Sequence, residues 1–488
     1  MIKLHNCYAD TQYCLTHLVA VIFFAVGLLT RSLRVSVREG LNSSGTRTSQ
    51  YAGFRFIQDE AFASDQTNQC LLDPVTFDPQ GETCHFDYAR QSGARLSIKN
   101  SGVDYITRSS QQDSLAIWTR GLRHSSFEES FIPESCPADT EPFPVITFGA
   151  GISSDEAYTI AHGYGVTHFC GTVNAIGTSG CWLLNRGHGV MPGSFTVVPP
   201  VGKIRIANKC SNPDLFWALH GAGGGAFGVT IDSTHPTEPE KSLTTMHSWA
   251  LQGWGGPSTP NFSMFVNDKV SNNEAKKALA PALDFVRVQN GSIDVRTYKN
   301  FYQFYTDNMN GKFATPMTIS GTIATTTRIV PEDHFLDVEA RERMVDAIMD
   351  TQAAGLPTAF LTTMPLFYGR NNPEPNTSLH PAWYKSVWLV ANSVQWTATS
   401  SIKERKQIVS MLKNATAMWK EVIPDGCTYA NEADLWEDNW AYESWGDNSE
   451  KLLEVKGSVD PDNLLSCRHC VGWEESLPGY ECMSGLDV

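Results

Sequence analysis

A cluster of glycines that directly follows an apolar, aromatic run is the feature that most constrains the fold of this sequence. Residues 212–230 read NPDLFWALHGAGGGAFGVT, so a helix-like stretch is followed by five glycines and then by a strand-like stretch. Glycine tolerates positive φ angles and lets a backbone approach a ligand closely. The segment therefore predicts a helix, a loop suited to a flat or phosphorylated ligand, and a strand, in that order.

The composition describes a folded, acidic protein. The chain has 488 residues, of which 41% are hydrophobic and 18% charged, and its formal net charge is -15. This length suffices for two domains with cores of their own. The negative charge argues against nucleic acid and anionic membrane surfaces as partners, because both require basic patches.

An apolar stretch near the N-terminus indicates the secretory pathway. Residues 18–29 are apolar, with Lys3 before them and Arg31 and Arg34 after them. So short a stretch suits the core of a signal peptide better than a membrane span. We therefore interpret residues 1–36 as a signal peptide; a signal-anchor, a misplaced start and a buried helix are the alternatives.

Two further features favour a secreted glycoprotein. Acceptor tripeptides for N-glycosylation begin at Asn42, Asn261, Asn290, Asn376 and Asn414. Beyond the apolar stretch the chain has ten cysteines, an even number that suits disulfides in an oxidising compartment. The spacing does not reveal their pairing, and buried thiols are the alternative for several of them.

The hydrophobic pattern changes along the chain and predicts an α+β fold. Short strand-like runs alternate with short helices at first, and longer amphipathic helices follow later. The strand-like runs are 95–99, 114–118, 145–148, 317–329 and 386–395, and the helix-like runs are 154–162, 273–289, 331–354 and 400–422. This interleaving predicts two α+β domains, in the second of which helices cover a sheet.

We expect domain boundaries where the composition shifts. The proline-rich break His235-Pro-Thr-Glu-Pro239 looks like a hinge between the two domains. We assign a leader at 1–36, an irregular segment at 37–69, a first domain at 70–236, a second at 237–424 and a C-terminal return at 425–488.

A second candidate ligand loop follows the strand-like run at 95–99. Asn100, Ser101 and Gly102 end this strand, and there successive backbone N–H groups and hydroxyls can form a nest for phosphate oxygens. A plain β-turn explains the same residues equally well.

Four blocks of the chain, in order, resemble one enzyme family. They are RLSIKNSGVDYITRS at 95–109, the glycine-containing stretches 145–151 and 187–189, the run at 212–230, and YANEAD with the following WAYESWGDN and KLLEVKGSVDPDN at 429–463. They are similar to motifs of the berberine-bridge-like FAD-linked oxidases with the vanillyl-alcohol-oxidase type of flavin domain.

The resemblance implies a PCMH-type FAD-binding domain of two α+β subdomains and a substrate domain with a helix-covered antiparallel sheet. It implies a Tyr or Glu as general base, for which Tyr429 and Glu432 are the candidates. The implied FAD-binding residues are Asn100, Ser101, Gly102, Val103, Asp104, Ser109, Gly177, Gly187, His188, Gly223, Gly224, Gly225, Phe227, Gly228 and Asn448.

The chain departs from the family pattern at positions that touch the cofactor. Val103 stands where many members carry the histidine that is bonded covalently to the flavin, and Val173 stands at the position of a second, cysteine anchor. Cys170 and Cys181 lie near that position but out of register. We therefore expect FAD to be bound non-covalently.

Two further departures leave it undecided from the sequence whether the chain keeps the cofactor site. Asn185 and Arg186 replace family glycines, and the chain is shorter than the family between Gly193 and Lys203 by roughly one strand with its loop. A gene-model error, a tolerated deletion and a loss of the cofactor site each account for the shortening.

We therefore expect a secreted FAD-linked oxidase of a small alcohol, amine or reduced ring that passes electrons to O2, in secondary metabolism. The alternative is a flavin-free relative that keeps the fold as a binding or cyclisation-guiding protein. No metal site is expected, because Cys467 and Cys470 lack the second pair that zinc requires and favour a disulfide or free thiols.

Overall fold

A computed structural model describes the chain from residue 93 to residue 486, with gaps. The described residues are 93, 95–106, 108–109, 111, 114–168, 170–171, 174–184, 194–201, 204–240, 243–245, 257–259, 262–263, 266–267, 270–309, 321–362, 365–372, 375–397, 400–474 and 486. The predicted leader lies outside them, as do Asn42, Val173, Asn185, Arg186, Gly187, His188 and Asn261.

Strands and helices are numbered in chain order over the described residues. The strands are β1 Arg95–Lys99, β2 Ser114–Trp118, β3 Ser125–Phe131, β4 Phe143–Gly149, β5 Val166–Thr167, β6 Ser194–Val198, β7 Arg205–Ala207, β8 Val229–Pro236, β9 Glu238–Pro239, β10 Leu243–Thr245, β11 Pro257–Thr259, β12 Phe262–Ser263, β13 Val266–Asn267, β14 Arg296–Tyr298, β15 Gly321–Pro331, β16 Thr358–Leu361 and β17 Ser386–Thr397. The helices are α1 Ser154–Gly163, α2 Pro213–Leu219, α3 Asn272–Ala278, α4 Ala280–Val288, α5 Phe301–Phe304, α6 Asp333–Leu336, α7 Val338–Ala353, α8 Leu366–Asn371, α9 Ile402–Val422, α10 Trp440–Trp445 and α11 Asn448–Val459.

The first sheet follows the glycine run directly through its strand β8. Its antiparallel order is β3-β4-β8-β6-β7. Helix α1 packs on it through Ala157 and Ala161, which contact Ile146 and Phe148 of β4 in one buried cluster. Strand β8 begins one residue after Gly228, so the sheet anchors the C-terminal end of the glycine run.

The second sheet has the order β12-β11-β16-β17-β15 and is antiparallel throughout. Its two longest strands, β15 at the edge and the neighbouring β17, are covered by α7 and α9, which bury Met344 and Trp419 against Val330 and Val390. This confirms the predicted α+β class and the helix-covered antiparallel sheet.

The three long amphipathic helices are present, and two of them are divided. The predicted helix at 273–289 breaks at Leu279, because Pro281 in the first turn of α4 removes a backbone donor. The one at 331–354 breaks at Asp337, whose carboxylate caps α7 by accepting from the Ala340 N–H at 2.7 Å. Helix α9 runs unbroken behind the capping box formed by Ser401 and Glu404.

The expected hinge at 235–239 is wrong. Strand β8 continues through the fully buried His235 to Pro236, and Glu238–Pro239 pairs with Val166–Thr167. The two prolines suggested a linker, but sheet hydrogen bonds hold this segment in place.

Two disulfides bridge cysteines among the described residues, Cys136 with Cys210 and Cys467 with Cys470. Cys170 and Cys427 are buried free thiols. The described cysteines therefore include both disulfides and buried thiols, the two alternatives that the sequence left open. None of the helices in the described ranges is long and apolar enough to cross a membrane.

Candidate functional site

A cavity lies where the two predicted ligand loops meet. The loop at 100–109 forms one wall, and the glycine run (residues 221–228) forms the facing wall. About 520 Å³ of empty space lies between them, part of which is open solvent. The lining residues are Ile98, Asn100, Ser101, Gly102, Val103, Asp104, Arg108, Ser109, Thr119, Ala150, Ser179, Gly180, Leu184, Gly224, Gly225, Gly228 and Thr230.

Local hydrogen bonds shape the loop at 100–109. Gly102 has φ +83°, a conformation that side chains resist. The Asp104 carboxylate accepts from the Ser109 N–H at 2.7 Å and from the Ile106 N–H at 3.3 Å. The Trp118 indole donates to the Asn100 carbonyl at 2.9 Å, which fixes the start of the loop against β2.

The glycine run needs glycine for two physical reasons. Gly223 and Gly225 have φ +106° and +85°, where other residues are strained. A Cβ placed on Gly225 would project toward Ile98 across the cavity, 3.8 Å from the Ile98 Cβ atom. Any side chain at this position would therefore fill space that a ligand can use.

One buried hydroxyl in the lining lacks a partner. Thr230 is 5% exposed, and its Oγ1 atom makes no hydrogen bond within the described part of the chain. An unsatisfied buried hydroxyl is costly, and a polar ligand in the cavity would satisfy it. This atom indicates that the cavity is built for a polar molecule.

Among the described residues, Val103 stands at an expected anchor position without an atom that could bond a flavin. Val103 lines the cavity with 8% exposure and offers only methyl groups. Cys170 lies outside the lining; its thiol contacts the hydroxyls of Ser154 at 3.0 Å and Thr178 at 3.4 Å. Burial raises the pKa of this thiol, which keeps it protonated and unreactive.

The structure places most, but not all, of the predicted FAD-binding residues at the cavity. Nine of the described ones line it, and Gly177, Gly223, Phe227 and Asn448 do not. Phe227 is buried in the core beneath the run, and the Asn448 amide donates to the Leu379 carbonyl at 2.7 Å. The Gly223 N–H donates to the Leu184 carbonyl at 3.0 Å, and Gly177 lies against Asn100.

Sequence reasoning missed several lining residues, of which Arg108, Thr119, Ser179 and Thr230 carry polar side chains. Arg108 and Thr230 lie within one or two residues of predicted FAD-binding residues that line the cavity, and this closeness in sequence could have identified them as lining residues. Ser179 has no such neighbour, and long-range folding brings it to the cavity. There its hydroxyl bonds that of Ser233 at 2.5 Å, which in turn bonds His235 Nε2 at 2.7 Å.

Tyr429 and Glu432 lie on the C-terminal segment (residues 425–474), outside the cavity lining. Tyr429 is connected to the cavity through one amide: the Asn431 Nδ2 group donates to the Tyr429 hydroxyl at 2.6 Å, and Asn431 Oδ1 accepts from Arg108 at 2.6 Å. Desolvation raises the pKa of Glu432 to about 7, and its carboxyl has no hydrogen bond within the described ranges. Both residues therefore remain candidates for proton transfer.

Comparison with known proteins decides the family. The sequence model described as "Berberine and berberine like" matches residues 428–472. The FAD-linked oxidoreductase OXR2 of Pyricularia oryzae is 32% identical over 502 aligned residues, which cover 90% of this chain and 85% of that protein. The chain belongs to the berberine-like FAD-linked oxidoreductases. Another member, cheF of Chaetomium globosum, is 31% identical over 90% of this chain and 80% of its own.

Solved structures of flavoproteins share the fold of this FAD-linked oxidoreductase. The VAO-type flavoprotein MtVAO713 of Myceliophthora thermophila superposes with a TM-score of 0.73 over 97% of this chain and 96% of its own, at 19% identity. The glucooligosaccharide oxidase of Acremonium strictum superposes with a TM-score of 0.61 over 79% of this chain and 88% of its own, at 17% identity. The fold confirms the resemblance that the four sequence blocks carried.

The lining of the cavity in this family member suits the polar groups of a flavin nucleotide. Backbone N–H groups and the unpartnered Thr230 hydroxyl can donate hydrogen bonds to phosphate and ribityl groups. The glycines leave space for these groups next to the backbone. Val103 leaves space beside them without a bond-forming atom. The residues present thus suit the phosphate and ribityl groups of FAD.

The acceptor asparagines in the described ranges are all exposed. Asn290 follows α4, Asn376 precedes the buried Thr377, and Asn414 lies on the outer side of α9. Their exposure leaves room for glycans, and their modification stays a prediction.

Proposed function

We propose that the protein is an FAD-dependent oxidase that oxidises an alcohol, amine or reduced ring in a small organic molecule and passes the electrons to O2. The cavity between the loop at 100–109 and the glycine run carries this proposal, because it unites nine predicted FAD-binding residues around an unpartnered hydroxyl. The oxidase name of the structural neighbour from Acremonium strictum supports oxygen as the acceptor.

The chain's own residues would hold and orient the cofactor. Gly102, Gly224 and Gly225 would present backbone groups to its phosphates, and Thr230 would hydrogen-bond a polar group. When bound, FAD supplies a two-electron acceptor. The protein must then remove a proton from the substrate, and a carboxyl with a pKa near 7, such as Glu432, suits this task.

The same proposal places the protein in the secretory pathway and in secondary metabolism. The two disulfides and the exposed acceptor asparagines support the first, because both features belong to an oxidising, glycosylating compartment. The resemblance to fungal oxidases of this type supports the second. A loss of mass on treatment with an N-glycosidase tests the secretory assignment.

An absorbance spectrum before and after acid precipitation tests cofactor and attachment together. We expect flavin bands in the purified protein that move completely into the supernatant, because Val103 cannot bond the ring. The matched variant Val103→His, which puts an imidazole into the cavity wall, should retain part of its yellow colour in the pellet.

Three results would contradict parts of this proposal. Colour retained in the wild-type pellet would overturn non-covalent binding. A colourless wild-type protein that takes up no added FAD would favour the flavin-free binding protein instead. A yellow protein that consumes no O2 with any alcohol, amine or reduced ring would overturn the oxidase assignment.

A further inference from the structure

Buried polar contacts join the C-terminal segment to both walls of the cavity. The Leu96 N–H of β1, the strand that leads into the loop at 100–109, donates to the Leu464 carbonyl at 2.9 Å. The Lys456 ammonium donates to the Ala226 carbonyl of the glycine run at 2.7 Å. One segment thus bonds the two surfaces that would close on a cofactor.

Lys456 is the centre of this connection. It is 3% exposed, and its three N–H groups go to Ala226 O at 2.7 Å, Asp460 Oδ2 at 2.6 Å and Leu465 O at 3.0 Å. The Asp460 carboxylate also accepts from the Leu464 and Leu465 N–H groups, each at 2.9 Å. The ammonium is therefore fully satisfied, and it fixes the turn that presents Leu464 to β1.

The glycine run depends on such outside contacts. Gly225 and Gly228, at φ +85° and +159°, flank the buried Ala226 and line the cavity. Glycine restricts its own backbone less than any other residue, so neighbouring bonds must select the conformation. The Trp445 indole adds a second such contact at the start of the run, donating to the Gly221 carbonyl at 3.0 Å.

We propose that Lys456 is a positioning residue for the cofactor, which holds the glycine run and, through Asp460 and Leu464, the facing strand at the separation that FAD requires. This inference rests on the proposed binding of FAD. It differs from a simple buried ion pair, because the Lys456 ammonium also bonds the Ala226 carbonyl and so reaches the glycine run, whereas the pair with Asp460 supports only the turn at Leu464.

Two variants separate these roles. Lys456→Met removes the bond to Ala226 and leaves the Asp460 carboxylate buried without its cation, which lowers stability. The double variant Lys456→Met/Asp460→Asn removes the buried charge as well, so it should recover most of the lost melting temperature. It still lacks the donor to Ala226.

The full-length protein is first stripped of flavin. The dissociation constant for added FAD is then determined from flavin fluorescence, and the melting temperature of each variant is measured as well. We expect both variants to bind FAD at least about tenfold more weakly, the size of a lost hydrogen bond from a charged group. Hydrogen exchange of residues 221–228 in the flavin-free protein should be faster in both.

Lys420→Met is the matched control. This lysine contacts Glu443 at 2.8 Å and Glu437 at 3.6 Å and touches neither wall of the cavity. It should lower the melting temperature and leave the FAD dissociation constant unchanged.

Recovery of FAD affinity together with stability in the double variant would overturn the inference, as would unchanged affinity and exchange in Lys456→Met. If the single variant does not fold, the double variant decides alone. A wild-type protein that binds no FAD would overturn the proposed function first, and this inference with it.

Discussion

At the scale of single residues, the surroundings of Glu432 give its carboxyl a pKa that suits proton transfer near neutral pH. Its side chain keeps slight exposure, yet desolvation raises the pKa of its carboxyl to about 7. Its backbone is held firmly, because its carbonyl accepts from the Thr327 hydroxyl at 3.1 Å and its N–H donates to the Tyr429 carbonyl at 2.8 Å. A carboxyl on a fixed turn that titrates near neutrality is suited to accept a proton.

The pH profile of kcat/KM tests Glu432 as the base. A base works when deprotonated, so activity should be full well above pH 7, half-maximal near pH 7 and lower in acid. In Glu432→Gln this acid limb should disappear, and the rate should drop by about 10²–10⁴-fold. The control is Glu437→Gln, because burial raises the pKa of that carboxyl to about 7 too, while it bonds Thr428 and Lys420. An unchanged acid limb in Glu432→Gln would exclude it as the base.

At the scale of elements, Arg328 joins the second sheet to the C-terminal segment. It lies on β15 and is 2% exposed; its guanidinium donates to Glu443 of α10 at 2.5 Å and to the Ile423 carbonyl after α9 at 2.7 and 3.0 Å. One side chain therefore holds a strand, a helix end and a second helix together. Removing it would leave buried acceptors without donors.

Chemical denaturation of Arg328→Met tests this junction. We expect the free energy of unfolding to fall by about 3 kcal/mol, the lower end for breaking a buried pair, because Lys420 still contacts Glu443. Arg370→Met, at a surface pair with Glu332, should cost less than about 1 kcal/mol. Equal losses in the two variants would show that burial of Arg328 adds nothing.

Elements were predictable from the sequence where the signals are local. The capping box at Ser401 and the apolar period of α9 lie within a few residues, and so do the strand and turn at 95–102. The breaks at Leu279 and Asp337 were missed because apolar periodicity continued across them. The partners of the site, such as Ser179 with Ser233 and Arg108 with Asn431, are far apart in sequence, and no local pattern encodes them.

At the scale of the whole molecule, buried imidazoles make stability depend on pH. His168 and His235 are buried with ring centroids 4.8 Å apart. Desolvation lowers the pKa of His168 to about 3 and that of His235 well below its ordinary value. Both rings are neutral in the fold, whereas in the unfolded chain they take up protons below about pH 6.5. Glu432 and Glu437 act in the opposite direction, because their raised pKa values favour the fold in acid.

A comparison of wild type with His168→Phe isolates one imidazole from these opposing groups. The unfolded state binds the extra proton between about pH 6.5 and 3, so this contribution to stability is full above pH 6.5 and is lost on acidification. Between pH 6.5 and 5 the wild type should lose about 2 kcal/mol relative to the variant. Unfolding curves at several pH values measure this, and a constant difference would show that His168 does not stay neutral.

The bond between Leu96 and Leu464 has a consequence for synthesis. At about 5–20 residues per second, the ribosome delivers Leu464 roughly 20 to 70 seconds after Leu96. Until then β1 lacks this bond and the glycine run lacks Lys456. During most of translation, the two walls of the cavity therefore lack the contacts that hold them. We expect FAD to bind only at the end of translation or later.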